Sequence, residues 1–298
     1  VLPPLSGARS KKSYSNAIQK ASLFMHANPL PIVLTFAATD PSSGAGLQAD
    51  ILTLASLGCH PLSVVTGITV QDSAGVDDLQ AMDPELVVDQ ARFILEDMQV
   101  AAFKVGVIGS TENVAAIAEI AADYPDIPLI LDPVLASGAG DEFATDDLIA
   151  AMRELLIPHT MLITPNSIEA RRLAEDEADE ELLLEECAKR IRSMGCEYVL
   201  ITGTHENLPN VINTLYNRGG KVRADSWARL PGSYHGSGCT LASAIAGLIA
   251  TGLDVPEAVK EAQEYTWQTL KNAIRPGMGQ YIPDRLFWAR AGERSDES

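Results

Sequence analysis

Two short glycine runs stand just ahead of helical segments in this chain: "SSGAG" (42–46) and "HGSG" (235–238), the second followed at once by Cys239 and the apolar run "TLASAIAGLIA". The first N–H groups of a helix have no intrahelical acceptor and sit at the positive end of its dipole, so a glycine loop feeding a helix suits an anion such as phosphate. Neither run matches G-x-x-x-x-G-K-[ST] or G-x-G-x-x-G, which removes the P-loop and the dinucleotide fingerprint. Glycines also serve tight turns, so each loop alone says little. A third pattern, "TPNSIEARRL", puts Asn166 and Glu169 one helical turn apart. The pair can supply oxygen ligands to Mg2+, or form a capping box in which each side chain satisfies the other's backbone, and both roles can coexist. Asp40, Gln71, Asp132 and Asn166 each follow an apolar stretch. Singly, such residues are often caps or turn formers. Four of them at strand ends, where open α/β sheets carry their ligands, indicate a site.

The elements that must position these residues alternate. "PIVLTFA" (31–37) reads as a strand, and the loop after it leads to a helix with Leu47, Ile51, Leu54 and Ala55 on one face, closed by Gly58. "LSVVTGITV" is a second strand, and Asp83-Pro84 supplies the N-cap and first turn of a helix bearing Val87, Ala91, Ile94 and Leu95. The rhythm continues with "AFKVGVI", a helix over 111–122, "IPLILDPV", a helix over 146–156, "TMLITPN", a helix over 179–194 and "EYVLITG". Continuous apolar strands between amphipathic helices predict an α/β fold with a mostly parallel sheet covered on both faces. Only "NTLYNRGGKVRADSWARL" breaks the pattern, reading as a small antiparallel hairpin around Asn217–Gly220. The helix after Cys239 ends at Gly252 and a last helix opens at Asp254. No internal repeat or linker divides the body, so residues 31–275 are expected as one domain, with 1–30 as an extension and 276–298 as a C-terminal tail.

The chain has 298 residues and a formal charge of −18, which opposes binding to nucleic acid or an anionic membrane. Residues 1–30 differ: Arg9, Lys11, Lys12 and Lys20 occur there with no acid, the composition of a disordered arm, an upstream extension or a transit segment. Four cysteines (Cys59, Cys187, Cys196, Cys239) without a C-x-x-C motif point to a reduced, cytoplasmic protein and away from zinc.

Six segments in order, "TDPSSGAGLQADILTLASLG", "TGITVQDSAGV", "FKVGVIGS", "LDPVLASGAGD", "ITPNSIEARRL" and "YHGSGCTLASAIA", resemble the successive motifs of the hydroxymethylpyrimidine/phosphomethylpyrimidine kinases, members of the ribokinase-like superfamily. The resemblance spans roughly residues 31 to 275. It implies a three-layer α/β/α ribokinase-like fold and ATP-dependent phosphorylation of 4-amino-5-hydroxymethyl-2-methylpyrimidine, of its monophosphate, or of both, in thiamine biosynthesis. It places the transferred phosphoryl group over Gly236, Ser237 and Gly238 and gives Cys239 the role of base. A helix N-terminus is then expected to draw that thiol's pKa from about 8.5 toward neutrality. Gln71 would read the pyrimidine edge, with Asp40, Ala45 and Asp50 around the substrate loop. Thr202, Gly203 and Asn166 would meet ATP, and Glu169 and Asp132 would serve Mg2+. Relatives in this superfamily are often homodimers. Three departures stand out: many members have a glycine pair at Ser43-Gly44, a lysine near Ser137, and Lys-Gly-Gly-His where "TGTH" (202–205) stands here, and the loss of the two lysines removes possible phosphate contacts. A pyridoxal or pyridoxine kinase, and a non-catalytic pyrimidine-phosphate sensor, are the alternatives.

Overall fold

The computed structural model describes residues 30–136, 140, 144–174 and 182–290; the expected extension up to residue 29, the position at Ser137, the first residues of the helix expected over 179–194, and the last eight residues lie outside them. From Pro31 onward these residues form one compact unit.

Strand β1 (Ile32–Thr39) opens the domain and is buried along most of its length, as its uninterrupted apolar sequence requires. Helix α1 (Gly46–Ser56) follows the first glycine loop, and β2 (His60–Gln71) lies parallel to β1. The next strand, β3 (Val76–Ala81), was not foreseen: "VDDLQA" has no apolar face, because it forms the exposed sheet edge, pairing antiparallel with β2. Its acids suit an edge that must not pair with another chain. Helix α2 (Pro84–Asp97) begins as expected, with the Asp83 carboxylate accepting from Glu85 N. Then come β4 (Ala102–Val105), α3 (Thr111–Asp123), capped by Ser110, and β5 (Leu129–Leu131). The helix expected over 146–156 is regular only as α4 (Asp146–Ala151); it widens to a π turn at Met152–Leu156 and tightens to 3-10 at Ile157–His159. After β6 (Leu162–Ile163) come α5 (Ser167–Ala174), α6 (Leu184–Ser193) and β7 (Tyr198–Ile201). The hairpin is β8 (Asn210–Asn217) and β9 (Gly220–Ala228), followed by α7 (Ser237–Ala250), α8 (Val255–Lys271), capped by Asp254, and the short α9 (Phe287–Arg290).

The strands make one nine-stranded sheet in the order β3-β2-β1-β4-β5-β6-β7-β8-β9. In that order the pairs from β2 through β7 are parallel, while β3 at one edge and β8 and β9 at the other end pair antiparallel. Residues of alternating parity feed two cores. Leu34, Phe36, Phe103 and Val105 pack with α2 through α6, while Val33, Ala102 and Ile130 pack with α1, α7 and α8. This is the three-layer α/β/α ribokinase-like fold. Among the described residues no helix is long and apolar enough to cross a membrane, and the four cysteines are free and buried.

The segment after residue 275 is not a tail as far as residue 290. Ile282, Asp284 and Arg285 are buried, and Gln280 N donates to Ser73 O at 2.7 Å, so this stretch packs across the end of the sheet.

One residue on β4 breaks the apolar rule. Lys104 shares the face of Ala102, and its Nζ lies 2.9 and 3.0 Å from the Asp50 carboxylate oxygens on α1, while Ser243 Oγ on α7 donates to Asp50 Oδ1 at 2.6 Å. Lys104 and Asp50 are fully buried. Withdrawing each ion from water costs several kcal/mol, which their attraction offsets, so such a pair adds little net stability but is expensive to break. Lys104→Met should lower the unfolding free energy by about 3–5 kcal/mol, and Lys104→Met/Asp50→Leu should recover most of the loss. Urea unfolding checks this; a double variant no more stable than the single would refute the orphaned carboxylate as the cause.

Candidate active site

A cavity of about 460 Å³ lies at the carboxyl ends of the strands. Thr39 and Gln71 reach it from the ends of β1 and β2, Asp132 and Asn166 from just beyond β5 and β6, and Thr202 from just beyond β7, while the start of α7 forms its opposite wall. Right-handed β-α-β crossovers put these residue types on one rim, which is why strand-end positions collect a site.

The wall at α7 depends on glycine. Gly236 is the N-cap, has φ +79 and offers no capping side chain, so the first N–H groups of α7 are left to a ligand. A Cβ there would run into the main chain of Gly44 and Ala45, so the two glycine loops touch. They are joined by Asp40, whose fully buried carboxylate accepts from Ser42 N at 2.8 Å, Ala45 N at 2.6 Å and His235 Nε2 at 2.8 Å. Burial alone would raise the pKa of Asp40; hydrogen bonds from His235, Ala45 and Ser42 outweigh it and bring the value down to about 2.

Facing α7 are the two acids. Glu169 Oε2 accepts from Asn166 N and Asn166 Oδ1 from Glu169 N, both at 2.9 Å, so the capping box is formed. Glu169 Oε1 also accepts from Leu135 N at 3.3 Å. Burial, with the charge of Asp132 beside it, pushes Glu169 up to about 8. Asp132 rises to about 6, through burial, against the pull of Lys104. Its Oδ2 is buried without a hydrogen-bond partner. An orphaned carboxylate oxygen beside a carboxyl that resists ionising is an arrangement that a divalent cation relieves. Among the described residues no cluster of three or more His, Cys, Asp and Glu side chains forms a cage. The two carboxylates, one with an unpartnered oxygen, fit Mg2+, which takes one or two carboxylates and completes its shell with water and phosphate oxygens.

Cys239 corrects an expectation. It stands in the first turn of α7, yet its thiol is pushed up to about 12 rather than toward neutrality. Burial dominates, Lys104 opposes it, and the charges of Asp132 and Asp50 add to it. The dipole argument neglects burial and the two nearby acids, Asp132 in the cavity and Asp50 behind its wall. At neutral pH Cys239 is a protonated thiol beside Asp132.

Gly236, Ser237, Gly238, Cys239, Ala45, Gln71, Asn166, Glu169, Asp132 and Thr202 all line the cavity. Gln71 Nε2 donates to Thr69 Oγ1 at 2.7 Å. Three expected residues stand behind the wall instead. Asp50 spends its carboxylate on Lys104 and Ser243, and Asp40 spends its own on the glycine loops, so neither faces a substrate. Gly203 is pressed against the main chain of Ile212 and donates from N to Asn213 Oδ1 at 3.2 Å. Lys104, His235 and Arg285 are the residues that sequence reasoning missed. A lysine inside "AFKVGVI" was the available signal for the first, and His235 opens the "HGSG" run, while Arg285 carries none.

This architecture is a ribokinase-like sheet whose strand-end acids face a helix start able to hold an anion. The phosphomethylpyrimidine kinase family model matches residues 40–284, and the chain belongs to that family. The hydroxymethylpyrimidine/phosphomethylpyrimidine kinase of Streptomyces coelicolor is 37% identical over 239 residues, 79% of this chain and 87% of that protein. Two other relatives are longer, and the chain spans about half of them, 46% and 54%. Among solved structures, a Staphylococcus aureus pyridoxal kinase in complex with AMP-PCP and pyridoxal superposes with TM-score 0.79 at 25% identity, covering 88% of this chain and 96% of that one. A phosphomethylpyrimidine kinase from Clostridium difficile gives 0.70 at 28% identity, covering 80% and 99%.

The Asp40 site makes a pH-dependent prediction. A carboxyl whose folded pKa lies below its unfolded value stabilises the fold above the unfolded value, near 3.8, and ceases to as pH falls through about 2. Asp40→Asn should therefore cost about 2 kcal/mol at pH 5, shrinking as pH approaches 2, in unfolding free energies measured across that range. A cost that does not change with pH would contradict it.

Proposed function

We propose that the chain transfers the terminal phosphoryl group of ATP, with Mg2+, to 4-amino-5-hydroxymethyl-2-methylpyrimidine and to its monophosphate. The observation that carries this is the open N-terminus of α7 facing the under-neutralised acids Asp132 and Glu169 across the strand ends. The relatives that match nearly full length bear the name of this kinase.

In this reading Gln71 presents its amide to the pyrimidine edge, where one group can both donate and accept. Ala45 and the first glycine loop form the floor under the ring. The N–H groups of Ser237, Gly238 and Cys239 hold the phosphoryl group in transit, a preorganised donor being worth about 3 kcal/mol. Asp132 and Glu169 would hold Mg2+, which would supply neutralisation of phosphate charge, with Asn166 and Thr202 along the nucleotide. The transition state of phosphoryl transfer is loose, so the acceptor hydroxyl need not lose its proton early. Cys239, a thiol, takes up that proton as its own passes to an oxygen of the transferred phosphoryl group held at the same helix start. The monophosphate acceptor is already anionic and needs no such relay. A cytoplasmic site of action fits four unoxidised cysteines, and a homodimer would cover exposed apolar residues such as Ile68 and Val70 on β2.

Pyridoxal phosphorylation is a second reading, favoured by the higher TM-score of the pyridoxal kinase. ATP turnover measured separately with the pyrimidine alcohol, its monophosphate and pyridoxal decides between them; turnover on pyridoxal alone would overturn the pyrimidine reading. Cys239→Ala should slow the alcohol reaction by about 10²-fold or more, the scale of general acid–base catalysis, and the monophosphate reaction much less. Cys239→Ser should retain most alcohol turnover, because a hydroxyl can relay a proton. If Ser fails as badly as Ala, Cys239 acts as a thiolate and the relay is wrong.

A further inference from the structure

Arg285 is 3% exposed and lies in the C-terminal segment, outside the cavity wall. Its guanidinium donates to Gly44 O at 2.5 Å and Ser43 O at 3.3 Å on the first glycine loop, and to Thr240 Oγ1 at 3.1 Å on α7. Thr240 Oγ1 in turn donates to Gly236 O at 2.8 Å. One planar cation thus spans from the substrate loop to the cap of the anion-holding helix, and its described hydrogen bonds all go to neutral oxygens. Burying a guanidinium without a carboxylate is costly, so the arrangement has to be over-determined by its surroundings. The segment supplies that: Asp284 N donates to Thr269 O at 3.0 Å, and Tyr265 Oη donates to Arg285 O at 2.9 Å, both from α8. The loop it grips is also strained. Ser43 has φ +60, a left-handed conformation unfavourable to a residue with a Cβ, and left to itself would relax.

We propose that Arg285 is a positioning residue: it clamps the loop Asp40–Ala45 onto the start of α7, so that the C-terminal segment sets the distance between the acceptor's floor and the phosphoryl-holding N–H groups. A rigid fork suits this task because two donors fix the direction of two successive carbonyls, which a lysine ammonium cannot do. The catalytic consequence rests on the kinase reading above; the clamp itself does not. An acceptor about 1 Å out of place costs on the order of 10²-fold in rate.

The test uses the full chain with Arg285→Met, Arg285→Lys and, as a control on the same segment, Trp288→Phe, which loses the 3.0 Å bond from Trp288 Nε1 to Ser56 Oγ. Hydrogen exchange is read on the amides of residues 42–46. Steady-state kinetics are read on the pyrimidine monophosphate, with ADP binding by calorimetry. Faster exchange at 42–46 in both Arg285 variants but not in Trp288→Phe is expected, whatever the substrate proves to be. With it should come a fall in kcat/KM of about 10²-fold in Arg285→Met, with ADP affinity unchanged and a smaller fall in Arg285→Lys. Exchange equal to wild type in Arg285→Met overturns the clamp. Equal kinetic losses in Trp288→Phe and Arg285→Met overturn the positioning role and leave only general stabilisation. Faster exchange in a protein that phosphorylates none of the three acceptors supports the clamp and counts against the kinase reading alone.

Discussion

The site is organised by an electrostatic mismatch that the fold alone does not resolve. On one wall the N-terminus of α7 presents N–H groups with no acceptor, and Gly236 as cap leaves them free. Across from it Asp132 and Glu169 are buried, with pKa values raised to about 6 and 8; burial is the larger cause in both, and the charge of Asp132 adds to it at Glu169. A positive helix end and two acids without counter-ions are both improved by a ligand that is anionic on one side and carries a divalent cation on the other. A metal-bound polyphosphate is such a ligand, since its anionic groups suit the helix N–H groups and its cation suits the two acids.

The surrounding structure keeps the two walls apart without collapsing them. Lys104 is fully buried, and its positive charge is anchored to Asp50 and Ser243 rather than to Asp132. It lowers the pKa of Cys239 and Asp132 without overcoming the burial of either. Above it, Asp40 and His235 couple the two glycine loops through a 2.8 Å contact, and the C-terminal segment braces them from outside. Binding energy can then go into the reacting groups rather than into assembling the loops.

Much of this was legible in the sequence, for identifiable reasons. The parallel sheet followed from strands apolar on both faces, and the helix starts at Asp83, Ser110 and Asp254 all carry side-chain caps. The strand-end residues Gln71, Asp132 and Asn166 and the run Gly236 to Cys239 do meet in one cavity. Edge strand β3 escaped notice because its polar sequence reflects exposure rather than backbone pairing. Asp40 and Asp50 look like ligands in one dimension because loop-flanking acids often are; only packing shows that their oxygens are consumed by His235 and Lys104. The Cys239 expectation failed for the same reason, since a pKa depends on neighbours that are distant in sequence. Arg285 had no signature, because its partners are main-chain carbonyls some 240 residues earlier.

The central claim, that Glu169 loses its proton to solvent when a metal-bound phosphate ligand binds, is open to one direct measurement. Titrating MgADP into the protein by calorimetry in two buffers of different ionisation enthalpy counts the protons released on binding. With Glu169 near 8, close to one proton per site should be released at pH 7, falling toward none at pH 9 and absent in Glu169→Gln. Binding at pH 7 with no proton release would contradict the account, because Glu169 would then be ionised before any cation reached it.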